Sequence, residues 1–254
     1  MNATLRMLRA AVVAELTKTK RVPQFIVPTI VFPILFFSMF GLPNAGRVVG
    51  GVNLGAYMLA SYGAYAMMST ALISFGVSIS QERALGWNRL LRVTPISPVV
   101  YFAAKAINAL TIGAVSLVTL FAFGIVTAHV SLPFLTWIAL GIVLLVGMLP
   151  FVLLGLALGY FASATAAAPI ANLVFLPLSF ASGLFIPLQM LPTAVRTVAP
   201  FLPSYHVGQL GWNVLGSGDQ LGLRPHLLWL AVYGAAFGML ALVAYRRDEG
   251  RQFG

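Results

Sequence analysis

Residues 134–161 read Phe-Leu-Thr-Trp-Ile-Ala-Leu-Gly-Ile-Val-Leu-Leu-Val-Gly-Met-Leu-Pro-Phe-Val-Leu-Leu-Gly-Leu-Ala-Leu-Gly-Tyr-Phe, without a charged side chain. A stretch of about 20 apolar residues is enough to cross a hydrocarbon core of roughly 30 Å as a helix. Five further apolar segments, at about 22–42, 55–80, 99–128, 166–188 and 226–245, fit the same description. The sequence therefore predicts an all-α membrane protein with six transmembrane helices, one membrane domain covering 1–254. Composition agrees: 60% of residues are hydrophobic and 8% charged, against about 25% charged in soluble domains. Prolines inside the first, fourth and fifth spans predict kinks there, since neighbouring helices can satisfy the freed carbonyls.

A net charge of +10 could signal a nucleic-acid partner or a membrane orientation, and the placement of the basic residues decides between them. With the N-terminus cytoplasmic, Arg6, Arg9, Lys18, Lys20, Arg21, Arg83, Arg89, Arg92, Lys105, Arg246, Arg247 and Arg251 lie inside, and Arg47, Arg196 and Arg224 outside. That bias puts both termini in the cytoplasm and requires an even number of spans. Nucleic acid is not needed as a partner. There is no cysteine, and His129, His206 and His226 are too scattered in sequence to suggest a metal site.

Residues 1–21 place Leu5, Leu8, Val12 and Leu16 at helical spacing among basic residues, which predicts an amphipathic interfacial helix. A signal peptide is the competing reading. Residues 187–225 are broken by Pro187, Pro192, Pro200 and Pro203 into pieces too short to cross, so they read as an extracellular re-entrant or interfacial segment, with Trp212 and Tyr205 as interfacial anchors. A seventh span across 198–216 competes with that reading.

An ion-coupled carrier needs ionisable partners inside its spans, and the span interiors offer none. Glu15, Glu82, Asp219, Asp248 and Glu249 fall in surface or loop segments, and Lys105 lies near enough to the cytoplasmic face to snorkel. No lysine sits in a G-x-x-x-x-G-K-[ST] context, so the chain has no phosphate cradle of that kind. Energy for active transport must then come from another subunit docking on the cytoplasmic face. The largest cytoplasmic loop, 81–98, alternates charge with apolar anchors, and on a helix Trp87 and Leu90 share a face beside Arg83, Arg89 and Arg92. An ordinary basic loop is the plainer alternative.

Within that loop, Glu82-Arg83, Gly86, Leu90, Arg92, Thr94-Pro95 and Ser97-Pro98 resemble the signature loop of ABC-2 type permeases. Ser182-Gly183, Pro187, Leu191-Pro192, Arg196, Pro200, Leu202-Pro203 and Tyr205 resemble that family's stretch before its last helix. The resemblance implies a type V exporter fold with an N-terminal interfacial helix, a coupling helix in 81–98 and short outer-leaflet helices before span six. It also implies two permease copies, as a homodimer or heterodimer, above two ABC ATPase subunits. ATP and magnesium would sit on those subunits, with no cofactor on this chain. By carry-over, Glu82, Arg83, Gly86, Leu90 and Arg92 contact the ATPase, with Trp87 and Arg89 beside them. Ala84 and Trp87 stand where the family commonly has an acidic residue and a threonine. Trp87 is then either an aromatic anchor in an ATPase pocket or a membrane-interface anchor.

The resemblance places spans one, two and five along the translocation path, with Phe36, Phe40, Tyr57, Tyr62 and Phe180 as its candidate lining. That suits an amphipathic, drug-like or lipid-like substrate, although helix packing accounts for such residues equally well. A bacterial cytoplasmic membrane is the expected location, with membrane lipids as neighbours. A passive channel lacks a charged constriction here, and an enzyme lacks a convergent constellation. A non-transporting sensor or assembly subunit is the remaining rival.

Overall fold

The computed structural model describes residues 3–49, 51–87, 94 and 96–251. Among them the helices are α1 (Ala3–Arg21), α2 (Pro23–Phe36), α3 (Leu54–Ala84), α4 (Pro98–Ala128), α5 (Phe134–Phe161), α6 (Ala167–Ala181), α7 (Thr193–Val198), α8 (Pro203–Val214) and α9 (Leu223–Arg251). A two-residue ribbon pairs Val48 with Asn53 and Val49 with Val52. The fold is thus a helical membrane bundle, as the apolar runs predict.

Five stretches are long and apolar enough to span: Val27–Asn44, Leu54–Ala84, Pro98–Ala128, Phe134–Phe161 and Leu223–Asp248. The segment expected at 166–188 yields only the 15 residues of α6, which rise about 22 Å at 1.5 Å per residue. Its limits are local. Ser163 Oγ accepts from Ala166 N (3.3 Å) before the helix, and Gly183, with φ +84°, turns the chain out of it.

Short polar signals set the other boundaries. Asn53 caps α3 by accepting from Ala56 N (3.0 Å) and ties back to Ala45 O (2.8 Å). Ser97 accepts from Val100 N (3.3 Å) ahead of Pro98 at the first helical position, so Ser97-Pro98 is an N-cap followed by the residue best suited to the first turn.

The central element is α3, buried around nearly its whole circumference by α2, α4, α5 and α8. Small residues make that possible. A Cβ on Gly155 would run into Ala71 O, and one on Gly159 would lie 2.7 Å from Ile79 Cγ2 and 2.9 Å from Gly76 O. The pair Gly155 and Gly159, four apart, lets α5 touch α3 backbone to backbone, the small-residue packing that membrane helices use in place of hydrophobic driving force. At this contact α3 widens into a π-helical segment, Thr70–Val77.

α8 is an inner element of the bundle. It is buried along most of its length against α3, α5 and α9. Trp212 is 2% exposed, stacks on Tyr57 (5.0 Å, 6° between planes) and donates Nε1–H to Ser61 Oγ (2.9 Å). Its role as an interfacial anchor is therefore corrected: Ser61 gives the indole a buried partner, which removes the reason to seek water.

Candidate functional site

One end of the bundle gathers the charges. Near the end of α3, Glu82 Oε1 accepts from Lys105 Nζ (2.7 Å), and Oε2 accepts from the Tyr101 hydroxyl (2.5 Å). Lys105 also donates to Glu15 Oε2 (3.2 Å), and Lys18 pairs with Glu82. Two carboxylates and two ammonium groups thus form a neutral cluster that joins α1, α3 and α4. Glu82 is 6% and Lys105 2% exposed. Lys105 accordingly does not snorkel, and Glu82, expected in a surface or loop segment, is instead buried near the end of α3, while Glu15 lies on α1 as expected. Burial of these charges is tolerable because each has an opposite charge within hydrogen-bonding reach. Lys18, half exposed on α1, has its pKa pushed down to about 8 by partial burial and by the neighbouring Lys105.

The same contacts orient α1. Glu15 meets Lys105, Thr19 Oγ1 accepts from Asn108 Nδ2 (3.0 Å), and further on Ser116 donates to Thr29 O (2.9 Å). Both partners advance together along the chain, so the second half of α1 climbs beside α4.

Arg83, one residue on from Glu82, points to the other flank. Its Nη1 donates to Gly159 O (2.7 Å) and to Tyr160 O, and its Nε lies 3.3 Å from Asp248 Oδ1. Carbonyls in the last turn of a helix lack intrahelical partners, and a cation is favoured there by the helix dipole. Arg83 therefore caps α5 and fastens it to the end of α9.

Beyond these anchors the chain turns outward. Leu85 N and Gly86 N close the helix onto Gln81 O and Arg83 O (3.0 Å each), and Gly86 adopts φ +76°. That left-handed conformation is the reason for glycine at this position. Leu85 is 84% and Trp87 43% exposed. Of the residues expected to face an ATPase, Glu82 and Arg83 are turned inward, whereas Gly86 and Trp87 lie at the projecting edge. Arg89, Leu90 and Arg92 fall outside the described residues.

The opposite end holds a second polar cluster. His206 and His226, distant in sequence, lie with their Nδ1 atoms 2.9 Å apart. His226 Nε2 is 2.9 Å from Asp219 Oδ1, and the Tyr205 hydroxyl donates to Asp219 Oδ2 (3.1 Å). The expectation of scattered histidines is corrected by the fold, which brings α8 against the start of α9. Among the described residues no three His, Asp or Glu side chains are arranged so that they could hold a metal ion together. Burial, reinforced by His226, pushes the His206 pKa down to about 4. Burial is the largest single influence on the Asp219 carboxyl and would raise it, but its contacts with His226, the Tyr205 hydroxyl and Leu221 N together outweigh that and hold it below the usual range.

Residues 50–243 match a family of membrane proteins described as "ABC-2 family transporter protein". The chain belongs to the ABC-2 transporter family. It is similar to the "Putative transport permease YvfS" of Bacillus subtilis, 26% identical over 245 residues that cover 96% of this chain and 99% of the relative. It also resembles the "Inner membrane transport permease YhhJ" of Escherichia coli, 29% identical over 195 residues, or 71% of this chain and 49% of that protein. As an ABC-2 protein the chain is a multi-pass membrane transport subunit and not a catalytic one, and membership implies partnership with an ATPase subunit.

The candidate path residues of this ABC-2 protein separate into groups. Phe36 lies 6.2 Å from Tyr62 and 4.8 Å from Phe185, and Phe180 stacks on Phe185 (4.4 Å). Tyr65 and Phe175 extend the cluster. The hydroxyl of Tyr62 has no hydrogen-bond partner among the described residues. Tyr57 instead belongs to the Trp212 stack, and Phe40 is exposed away from the cluster. Sequence reasoning missed Phe185, the hub, and Lys105 and Tyr101 as partners of Glu82. The Gly155-Leu-Ala-Leu-Gly159 spacing was visible and would have identified the α3–α5 contact.

Proposed function

We propose that the chain is the permease of an ATP-driven exporter of type V architecture, working as a dimer, homomeric or heteromeric, above two ABC ATPase subunits that bind ATP and magnesium. The observation that carries this reading is the construction of the α3 terminus. Glu82 and Arg83 fix it to α1, α4, α5 and α9, and the exposed Leu85 and Trp87 follow at once. A partner pressing on those two side chains would push on four helices together. A buried aromatic is a common energetic anchor at an interface.

The path of the chain supports six crossings with both termini cytoplasmic. Arg83 binds the ends of α5 and α9, so both helices finish at the same side. For α9 to arrive there it must start at the opposite side, and α6 with the residues after it makes the intervening crossing. A bacterial cytoplasmic membrane suits the named relatives. The Phe36–Tyr62–Phe180 group, with one unpartnered hydroxyl, suits an amphipathic substrate, drug-like or lipid-like.

The test is ATPase activity of the reconstituted complex carrying Trp87→Ala with Leu85→Ser. Stimulation by substrate should fall severalfold while dimer assembly and thermal unfolding of the permease stay unchanged. Full stimulation in the double variant would sink the coupling assignment. A partner ATPase that neither binds nor responds would favour a sensor subunit instead.

A further inference from the structure

Near the turn that joins them, residues 129–133, α4 and α5 leave a groove of about 500 Å³ between them, at the end of the bundle opposite the ion cluster. It is part of no step described above, and it stands whether or not the transport reading does. Leu117 and Phe121 are its buried walls, and the exposed Val118, Ile138 and Ile142 border it. No charged side chain lines it. At Gly141 an added Cβ would meet nothing within 4 Å, so the space beside that residue is free.

Length decides what can fill it. The groove runs from Ile125 to Ala114 along α4 and from Phe134 to Leu145 along α5, roughly 16 Å on each helix at 1.5 Å per residue. That is about half of a 30 Å hydrocarbon core. Just deeper the helices are sealed: Met67 of α3 and Met148 of α5 are fully buried, and a Cβ on Gly113 would lie 3.1 and 3.3 Å from their sulfurs. A partner helix crossing the membrane needs the full thickness. A lipid chain from a single leaflet ends where this groove ends.

Trp137 carries the one polar side-chain group among the lining residues. It sits one helical turn in from Phe134, at the shallow end, with its ring 5.1 Å from that of Phe121. Trp212 gives its indole N–H to Ser61, whereas the Trp137 N–H has no hydrogen-bond partner among the described residues and is not sealed from the surface. Tryptophan at this depth lies at the level of lipid headgroups and their linkages, and an N–H there calls for an acceptor. A glycerolipid ester offers a carbonyl at the head of its hydrocarbon chain.

We propose that the groove binds one acyl chain of a glycerolipid from the leaflet opposite the ion cluster, with the Trp137 N–H donating to its ester carbonyl. An ether-linked lipid of the same chain length fills the groove but lacks that carbonyl. Loss of one neutral hydrogen bond should lower its retention about fivefold.

The experiment is lipid retention by the full chain, purified in detergent, exchanged against equal mixtures of ester-linked and ether-linked phosphatidylglycerol with the same chains, and read by native mass spectrometry. Wild type should keep one lipid more per chain than Gly141→Phe, whose ring takes the free space, and that lipid should be ester-linked over ether-linked by about fivefold. Trp137→Phe keeps an aromatic wall and should hold the lipid without the preference. Thermal midpoints of both variants should match wild type; if Gly141→Phe misfolds, Trp137→Phe alone decides. Retention unaffected by a folded Gly141→Phe, equal retention of the two lipids by wild type, or a preference that survives Trp137→Phe would overturn the proposal. Loss of a dimer in place of a lipid on Gly141→Phe would overturn it as well, and would give the groove to a second copy of the chain.

Discussion

Lys105 Nζ lies 2.7 Å from Glu82 Oε1, with both side chains more than nine-tenths buried. Taking one partner from a buried pair leaves the other uncompensated, typically a loss of about 3–5 kcal/mol, whereas replacing both is close to neutral. Because Glu15 still faces Lys105, Glu82→Gln should fall at the lower end, about 3 kcal/mol. Glu82→Gln combined with Lys105→Met should be less destabilised than the sum of the two single variants. Denaturant unfolding in micelles measures this, and strict additivity would show that the two side chains are not coupled.

Arg83→Ala should destabilise by about 1.5–3 kcal/mol, the range for hydrogen bonds to a charged group. Arg83→Lys should recover only part of that, since an ammonium cannot span two successive carbonyls and Asp248 with a planar fork. Limited proteolysis after Phe161, where α5 ends, should speed up in both variants. Cleavage at the wild-type rate would argue against the cap.

His206 makes stability depend on pH, and the direction follows from its lowered pKa. Unfolded, it takes a proton near 6.5; folded, it refuses one until about 4. Stability from this group is full above pH 6.5 and is lost progressively as pH falls from 6.5 to about 4. Thermal midpoints recorded from pH 7.5 to 4.5 should decline for wild type and much less for His206→Gln. His226, Asp219 and Tyr205 make up the rest of this cluster, and loss of the Asp219 interaction belongs to still lower pH.

Gly155→Val should cost about 1–3 kcal/mol or more, the usual penalty of overpacking, because its Cβ meets the Ala71 carbonyl, which cannot rotate away. Gly141→Val, on a surface with open space, is the control and should stay near wild type. Equal thermal midpoints for the two would mean that α3 and α5 are not in backbone contact.

The long spans were legible in sequence because hydrocarbon demands length and apolarity, properties a linear reading sees directly. Segment 166–188 was overread, since apolarity continues through Ser182-Gly183 whereas the helix does not. The site was legible in part. Glu82, Arg83 and Gly86 could be singled out from their pattern, but which way a side chain turns depends on partners far along the chain. Tyr101 and Lys105 for Glu82, and Gly159 for Arg83, are of that kind. The pairing of His206 with His226 was hidden for the same reason, as was the burial of Trp212 on Ser61.

The cluster of Glu15, Lys18, Glu82 and Lys105 sums to zero charge, and Arg83 with Asp248 adds zero again. A membrane potential of 100 mV does about 2.3 kcal/mol of work on each elementary charge carried across it, and on an electroneutral group it does none. These paired side chains can therefore move as a group without electrical work at either polarity, and any voltage dependence of the helices that carry them rests on their other basic residues, among them Arg6, Arg9, Arg246 and Arg247.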